Sequence, residues 1–321
     1  MKIVEIPAAK LNTSDFIRRQ SEELSKTVGE ATAITALSGG VDSATVTVLG
    51  HKALGKRLAA YFIDNGLMRQ GEPQMVAREF RKMGIRVQVL DAKQAFFDAL
   101  SGLRDPEEKR EAITRTFYKD VFGALVKKSG ARFLLQGTIL TDVEETVAGV
   151  KRQHNVLAQL GIDPEEVYGY GVIEPLLQLR KDGVRKLARA LGLPACLYGR
   201  MPFPGPALAA RVVGEATPER IELVRKATAI LEAELEKVKK FQCMAILHED
   251  QFPGMRNGKR DYGRQIELRC WASVDARAAE PVWLAPRMLK KLAARMTKEV
   301  PGVVSVTYNL ATKPPSTIEA I

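Results

Sequence analysis

Residues 38–43 read Ser-Gly-Gly-Val-Asp-Ser and follow an apolar run, Ala31 to Ala36, whose β-branched residues suit a short buried strand. The continuation, "VDSATVTVLGHKAL", suits a helix. Gly39 and Gly40 can take backbone angles closed to other residues, so successive amides can converge on one anion without a Cβ in the way. Ser38 and Ser43 add hydroxyl donors, and the helix adds the positive end of its dipole. Ser38, Gly39, Gly40, Val41, Asp42 and Ser43 therefore read as an oxyanion cradle, with an ordinary tight strand-to-helix turn as the alternative. A second glycine pattern, Gly50 to Arg57, puts Arg57 where a phosphate loop needs Ser or Thr, and it follows a helix. It reads as a helix end capped by Gly55.

Three more polar stretches fall where strand ends should converge. "FIDNGLMRQGE" supplies Asp64, Asn65, Gly66 and Arg69; "QGTILTDVEET" supplies Gln136, Gly137, Asp142 and Glu145; "VKRQHNV" supplies Lys151, Arg152 and His154. Asp142 and Glu145, three residues apart, share one face of a helix and suit magnesium held between phosphate oxygens. The same pair equally suits a helix N-terminus that attracts negative charge. On its own, His154 reads as a solvated loop histidine.

Elements that alternate between strand and helix must position these groups. "RLAAYFID" reads as a second strand, "EPQMVAREFRKMG" as a helix, "IRVQVLDA" as a third strand and 105–130 as one long amphipathic helix. "ARFLLQGT" is a further strand, and "DGVRKLARALGLP" a helix stopped by Gly192 and Pro194. The alternation implies an α/β fold, a doubly wound parallel sheet with helices on both faces and ligands at the carboxyl ends of its strands. The Pro/Gly-rich Gly199 to Arg211 breaks the pattern, which divides the chain into domains 1–198 and 199–321. The second is a smaller α+β segment in which "FQCMAILH" is a strand, "HEDQFPGMRNGKRDYG" a polar loop and "QIELRCWASV" the following strand.

The 321 residues can bury a substantial core, and 45% hydrophobic with 27% charged residues is the balance of a soluble globular protein. No membrane span or signal peptide is expected, so a cytoplasmic protein is. The three cysteines, widely spaced, are expected to be reduced, buried thiols. A net charge of +11 suits a polyanionic ligand. With 6% aromatic residues and dispersed charge, a dedicated nucleic-acid protein is not expected.

"LSGGVDS" resembles the PP-loop signature of ATP pyrophosphatases, and the order of motifs from about residue 14 to 319 is similar to the synthetase part of the GMP synthase family. "DNGLMR", "QGT" with Asp142 and Glu145, Lys151 with His154 and Asn155, "R-M-PFPGP" from Arg200 and "KPPSTIE" from Lys313 appear in the family's order. The resemblance implies a sheet of the adenine nucleotide α-hydrolase type, with a C-terminal dimerisation domain and hence a homodimer. It implies that ATP lies with its phosphates in Ser38 to Ser43 and beside Gln136 and Gly137, with Mg²⁺ held by Asp42, Asp142 and Glu145. Asp42, Lys151 and His154 would serve catalysis, the latter two on a loop that closes over the pyrophosphate. Arg69, Arg200, Lys313 and Glu319 would hold xanthosine monophosphate, which is adenylated and then aminated to GMP. No glutaminase pattern is found, so ammonia is expected from a separate glutamine amidotransferase or from solution. The acceptor-end motifs depart from the family's: Ala207 follows "PFPGP", "YNLA" ends the last strand and Ala320 follows "TIE". A paralogous enzyme that adenylates another purine or carbonyl for amination or thiolation is therefore a second expectation, and a non-catalytic nucleotide-binding regulator a third.

Overall fold

The computed structural model describes residues 3–147, 169–201, 203–256, 258–274 and 276–320. In chain order the first elements are α1 (Thr13–Val28), β1 (Ala33–Leu37), α2 (Val41–Leu54), β2 (Leu58–Asp64), α3 (Glu72–Lys82) and β3 (Val87–Asp91). Then come α4 (Lys93–Leu100), α5 (Pro106–Arg115), α6 (Gly123–Ser129), β4 (Phe133–Leu135), α7 (Leu140–Val147) and β5 (Gly171–Ile173). The rest are α8 (Lys181–Ala190), α9 (Ala195–Tyr198), α10 (Pro218–Glu234), β6 (Gln242–Arg256), β7 (Lys259–Ala272), β8 (Glu280–Pro281), α11 (Pro286–Glu299) and β9 (Val303–Tyr308). The chain forms two compact units: Met1–Asp64, Glu72–Asp91 and Phe117–Arg200 in one, and Asn65–Gly71, Ala92–Thr116 and Met201–Ile321 in the other.

The first unit holds a five-stranded sheet in the order β3-β2-β1-β4-β5, every pair parallel. Ala33, Ile34 and Leu37 are buried, as a central strand covered on both faces requires. The order turns back at β1, so the chain leaving β1 and the chain leaving β4 emerge side by side, at the switch point where such sheets bind ligands. α2 is buried almost all round, from Ala44 to Gly50. Thr45 and Thr47 satisfy their hydroxyls inside it, donating to Val41 O at 2.6 Å and Ser43 O at 2.8 Å.

In place of the single helix expected over 105–130, α5 and α6 flank a π-helical segment, Thr116–Phe122. The wider turn shifts the buried stripe by one residue. Phe122 is fully buried and meets Tyr170 edge-on at 6.2 Å. α5 begins at Asp105, whose side chain accepts from the amides of Glu107 and Glu108.

In the second unit the stretch expected as a polar loop is instead the outer part of a long hairpin. β6 and β7 pair from Gln242 with Trp271 out to Arg256 with Lys259, with an irregularity between Leu247 and Gln251. A Cβ on Gly254 or Gly263 would overlap Val304, so the two glycines make the room it packs into. β9 adds to β7 in parallel and β8 antiparallel. Cys243 and Cys270 face each other across β6 and β7, and burial pushes their thiols up to about 12 and about 11. Cys196 corrects the expectation of buried thiols, since it is exposed at the start of α9; all three cysteines are free. Among the described residues no helix is long and apolar enough to cross a membrane.

Glu267 on β7 accepts from Arg269 Nε at 2.6 Å and Asn309 Nδ2 at 3.0 Å, and lies 2.9 Å from His248 Nε2. Burial pushes its carboxyl up, but the bonds from His248, Arg269 and Asn309 outweigh it and hold the group at about 2. A carboxyl depressed in this way stabilises the fold above the unfolded carboxyl range and loses that contribution as pH falls toward the folded value. Glu267→Gln should therefore lower the urea midpoint at pH 7. Its deficit relative to the parent protein should shrink as pH is lowered from about 4.5 to about 2; a deficit constant over that window would remove the assigned role.

Candidate functional site

The turn from β1 to α2 is built by its own side chains. Ser38 Oγ and Ser43 Oγ lie 3.1 Å apart, Ser38 N donates to Ser43 Oγ at 3.2 Å, and Ser43 Oγ donates to Gly40 O at 3.2 Å. These bonds staple both ends of the turn. Gly40 is the N-cap of α2 and, having no side chain, caps none of the first-turn amides. Val41 points its side chain inward and is buried, so it can offer a ligand only its backbone. Gly39 has φ +77°, a left-handed conformation that a Cβ resists. At Gly137, after β4, an added Cβ would come within 3.0 Å of Asp42 C and Ser43 N. Close approach of β4's exit to the first turn of α2 thus depends on glycine.

Charges surround this turn in pairs. Asp42 Oδ2 is 2.5 Å from Lys181 Nζ, at the start of α8. Its Oδ1 is buried and has no hydrogen-bond partner among the described residues. Glu72, the first residue of α3 and 2% exposed, is 2.6 Å from Arg200 Nη1, which also donates to Gly39 O at 3.1 Å. Arg200, expected beside the acceptor, thus lies against the β1–α2 turn. Gln136 is buried, and its backbone amide donates to Ile173 O at 2.9 Å, joining β4's exit to β5. Asp142 Oδ2 accepts from Ile139 N at 3.0 Å, so part of this carboxylate serves the helix start. Glu145 lies one turn on in α7; its side chain, like Lys151 and His154, lies outside the described residues.

Among the described residues no group of three or more His, Cys, Asp or Glu could hold a metal ion. The orphaned Asp42 oxygen is nonetheless what a hard divalent cation satisfies, since a buried carboxylate oxygen left unpaired is costly. Lys181 and Glu72 escaped the reading of the sequence. Lys181 offered a cue: a cation opening a helix opposes the dipole and invites a search for a carboxylate partner.

The second unit assembles another polar cluster. Arg69 Nε lies 2.8 Å from Glu232 Oε1 on α10, and its guanidinium stands 4.0 Å over the Phe203 ring. The segment carrying Arg69 is itself held: Leu67 N donates to Asn65 Oδ1 at 2.9 Å, Arg225 Nε donates to Met68 O at 2.9 Å and Arg225 Nη2 to Gly66 O. Arg211 also stands over Phe203, at 4.7 Å, and is fully buried, which pushes its pKa down. Its guanidinium has no hydrogen-bond partner among the described residues. Glu319 Oε1 accepts from Gln242 Nε2 at 2.7 Å, while Oε2 lies 3.8 Å from Arg211 Nε. Lys313 Nζ donates to Ala276 O at 2.7 Å. Two of the four residues expected at the acceptor, Arg69 and Glu319, are thus linked through ion pairs with Glu232 and Arg211 and through Phe203, whereas Lys313 binds a loop carbonyl. Arg211, Phe203 and Glu232 were not foreseen.

Comparison with known proteins covers both units. The PP-loop domain family matches residues 13–194 and the GMP synthase C terminal domain family matches residues 229–320. The chain is 45% identical over 307 residues to one of the subunits of glutamine-hydrolyzing GMP synthase from Pyrococcus horikoshii, spanning 95% of this chain and 98% of that protein. It is 44% identical over 309 residues to the corresponding protein of Archaeoglobus fulgidus, spanning 96% and 99%. With that of Methanothermobacter thermautotrophicus it shares 41% over 313 residues, spanning 96% and 99%.

Gly39→Ala tests the turn. A non-glycine residue in this conformation costs about 1–3 kcal/mol, and the new Cβ overlaps Glu72 Oε1. Calorimetry should show affinity for inorganic pyrophosphate reduced by about tenfold or more, with an unchanged far-ultraviolet circular dichroism spectrum; unaltered affinity would refute the cradle.

Proposed function

The chain belongs to the GMP synthase family, and from that membership we propose that it adenylates xanthosine monophosphate with ATP and aminates the product with ammonia, giving GMP, AMP and pyrophosphate. Its PP-loop domain is of an ATP-using kind. The strongest support within the molecule is the β1–α2 turn with its buried Asp42 oxygen, unsatisfied among the described residues.

In this reading the first unit holds the nucleotide. The amides and hydroxyls of Ser38 to Ser43 bind the β- and γ-phosphates, with Gln136 and Gly137 alongside. Asp42, Asp142 and Glu145 would hold Mg²⁺, which supplies charge neutralisation for the departing pyrophosphate. Lys181 holds Asp42 through its second oxygen. The purine O2 attacks the α-phosphorus and the bond to the bridging oxygen of pyrophosphate breaks. Ammonia then adds at the activated carbon, and AMP leaves with the oxygen. Chemistry of this kind needs positioning and charge neutralisation more than covalent help from the protein. Lys151 and His154 belong to the same proposal as the groups that close over the phosphates.

The second unit binds the acceptor through Arg69, Lys313 and Glu319. Glu232 and Phe203 fix the Arg69 guanidinium, and Gln242 orients the Glu319 carboxylate. Residues 1–198, apart from the acceptor-binding Arg69, then carry the ATP chemistry, and 199–321 carry the rest of acceptor binding and dimerisation. The relatives are named as one subunit of a glutamine-hydrolyzing enzyme, which points to a separate amidotransferase partner as ammonia source, with free ammonium as substitute. A cytoplasmic homodimer completes the proposal.

Incubation with ATP, Mg²⁺, ammonium and xanthosine monophosphate should yield GMP, AMP and pyrophosphate in equal amounts. Pyrophosphate released only with a different acceptor would point to a paralogous activity, and tight ATP binding without turnover to a regulator. Asp42→Asn should reduce pyrophosphate release by about a hundredfold or more with the fold intact, because the site loses its charged oxygen ligand. Retained turnover would reject the metal role.

A further inference from the structure

The Arg200 guanidinium makes two contacts with one nitrogen: Nη1 lies 2.6 Å from Glu72 Oε1 and 3.1 Å from Gly39 O. Both partners belong to the wall of the anion turn. Glu72 is 2% exposed, and its carboxylate stands where a side chain on Gly39 would have to go. We propose that Arg200 is a positioning residue for the phosphate-binding turn, setting the orientation of the Gly39–Gly40 peptide and neutralising Glu72, rather than a ligand of the acceptor's phosphate. The proposal rests on the reading that the β- and γ-phosphates of ATP lie in Ser38 to Ser43.

The argument follows from peptide geometry. A trans peptide is planar, and its carbonyl oxygen and amide hydrogen point in opposite directions. A guanidinium that pins Gly39 O therefore fixes the plane of the unit and turns the Gly40 N–H away from Arg200. With glycine on both sides, this linkage has a freedom to flip that other residues lack, so a separate restraint is needed to keep it in one state. Were it to flip, a carbonyl oxygen would replace an N–H as the group facing a bound anion, and attraction would become repulsion.

The second contact concerns charge. A buried carboxylate against the turn would repel phosphate and would itself be costly unless paired. Arg200 cancels it with a side chain that is 17% exposed, where screening by solvent is weak. Buried ion pairs are seldom kept for stability alone, since well-packed apolar residues often serve as well. Here the pair has a local task, because the cation also holds the carbonyl.

Arg200→Met, Arg200→Lys, Glu72→Gln and the double variant Glu72→Gln with Arg200→Met test the proposal. Titration with inorganic pyrophosphate and with ATP, no acceptor present, should show Arg200→Met weakened by about tenfold or more. Arg200→Lys should recover part of the loss, since an ammonium can still reach a carbonyl and a carboxylate. The double variant should bind more tightly than Arg200→Met alone, because the negative charge of Glu72 beside the turn has gone. In steady-state assays KM for ATP should rise while KM for xanthosine monophosphate holds. A rise in the acceptor's KM with pyrophosphate affinity unaltered would overturn the proposal and return Arg200 to the acceptor. If Arg200→Met does not fold, Glu72→Gln and Arg200→Lys preserve volume and carry the test: pyrophosphate affinity equal to the parent's in both would overturn it. A parent protein that binds no pyrophosphate would instead reject the reading of the turn itself.

Discussion

The amides that open α2 have no side chain to bond, because the residue before them is glycine. A helix start left in this state keeps several donors and the positive end of the dipole directed at one place, and that is costly unless an anion or water satisfies them. Around this constraint the other features of the first unit fall into order. The carboxylates nearest the turn, Asp42 and Glu72, are each matched by a cation brought from a distant part of the chain, Lys181 and Arg200. Their charges cancel locally, so these two carboxylates add no net negative charge behind the backbone donors.

Rigidity is the second demand, since donors that move lose most of their electrostatic advantage. α2 is buried on nearly every side, and its threonine hydroxyls are satisfied internally at Val41 and Ser43. β1, the middle strand of five, fixes the start of the turn. Gly137 lets the chain leaving β4 press against Asp42 and Ser43 from the neighbouring strand. The parallel sheet thus supplies both the gap and the stiffness of its edges.

In the second unit the corresponding problem is to hold the segment that follows β9. Trp271 Nε1 donates to Ile318 O at 3.2 Å, and Ile318 packs in a cluster with Met244, Ile246, Trp271 and Ala279. Arg269, paired with Glu267, donates to Thr317 O at 2.9 Å and Glu319 O at 3.3 Å. Backbone at 317–319 is therefore tied to β7 by side chains already committed to the sheet. Glu319 inherits its position from them, and its carboxylate meets a buried cation, Arg211, whose own donors are unsatisfied among the described residues.

The period of apolar residues, the glycine pair and the paired Asp142 and Glu145 were readable in the chain because each is a local pattern imposed by strand, turn or helix geometry. That is why the parallel α/β sheet and the glycine turn between its first strand and helix could be stated beforehand. Local patterns also misled: 105–130 has continuous helical spacing, yet packing of Phe122 against Tyr170 accompanies a π turn within it. The polar stretch from 248 to 263 looks like a loop, yet 251–256 and 259–264 pair by ladder hydrogen bonds as a hairpin. What only the tertiary structure decided is the partnership of distant charges: Lys181 with Asp42, Arg200 with Glu72 and Gly39, Arg69 with Glu232. Such pairs are set by which strand ends and helix starts the topology brings together. No spacing along the chain encodes that, because electrostatic attraction depends on distance in space and on the depth of burial.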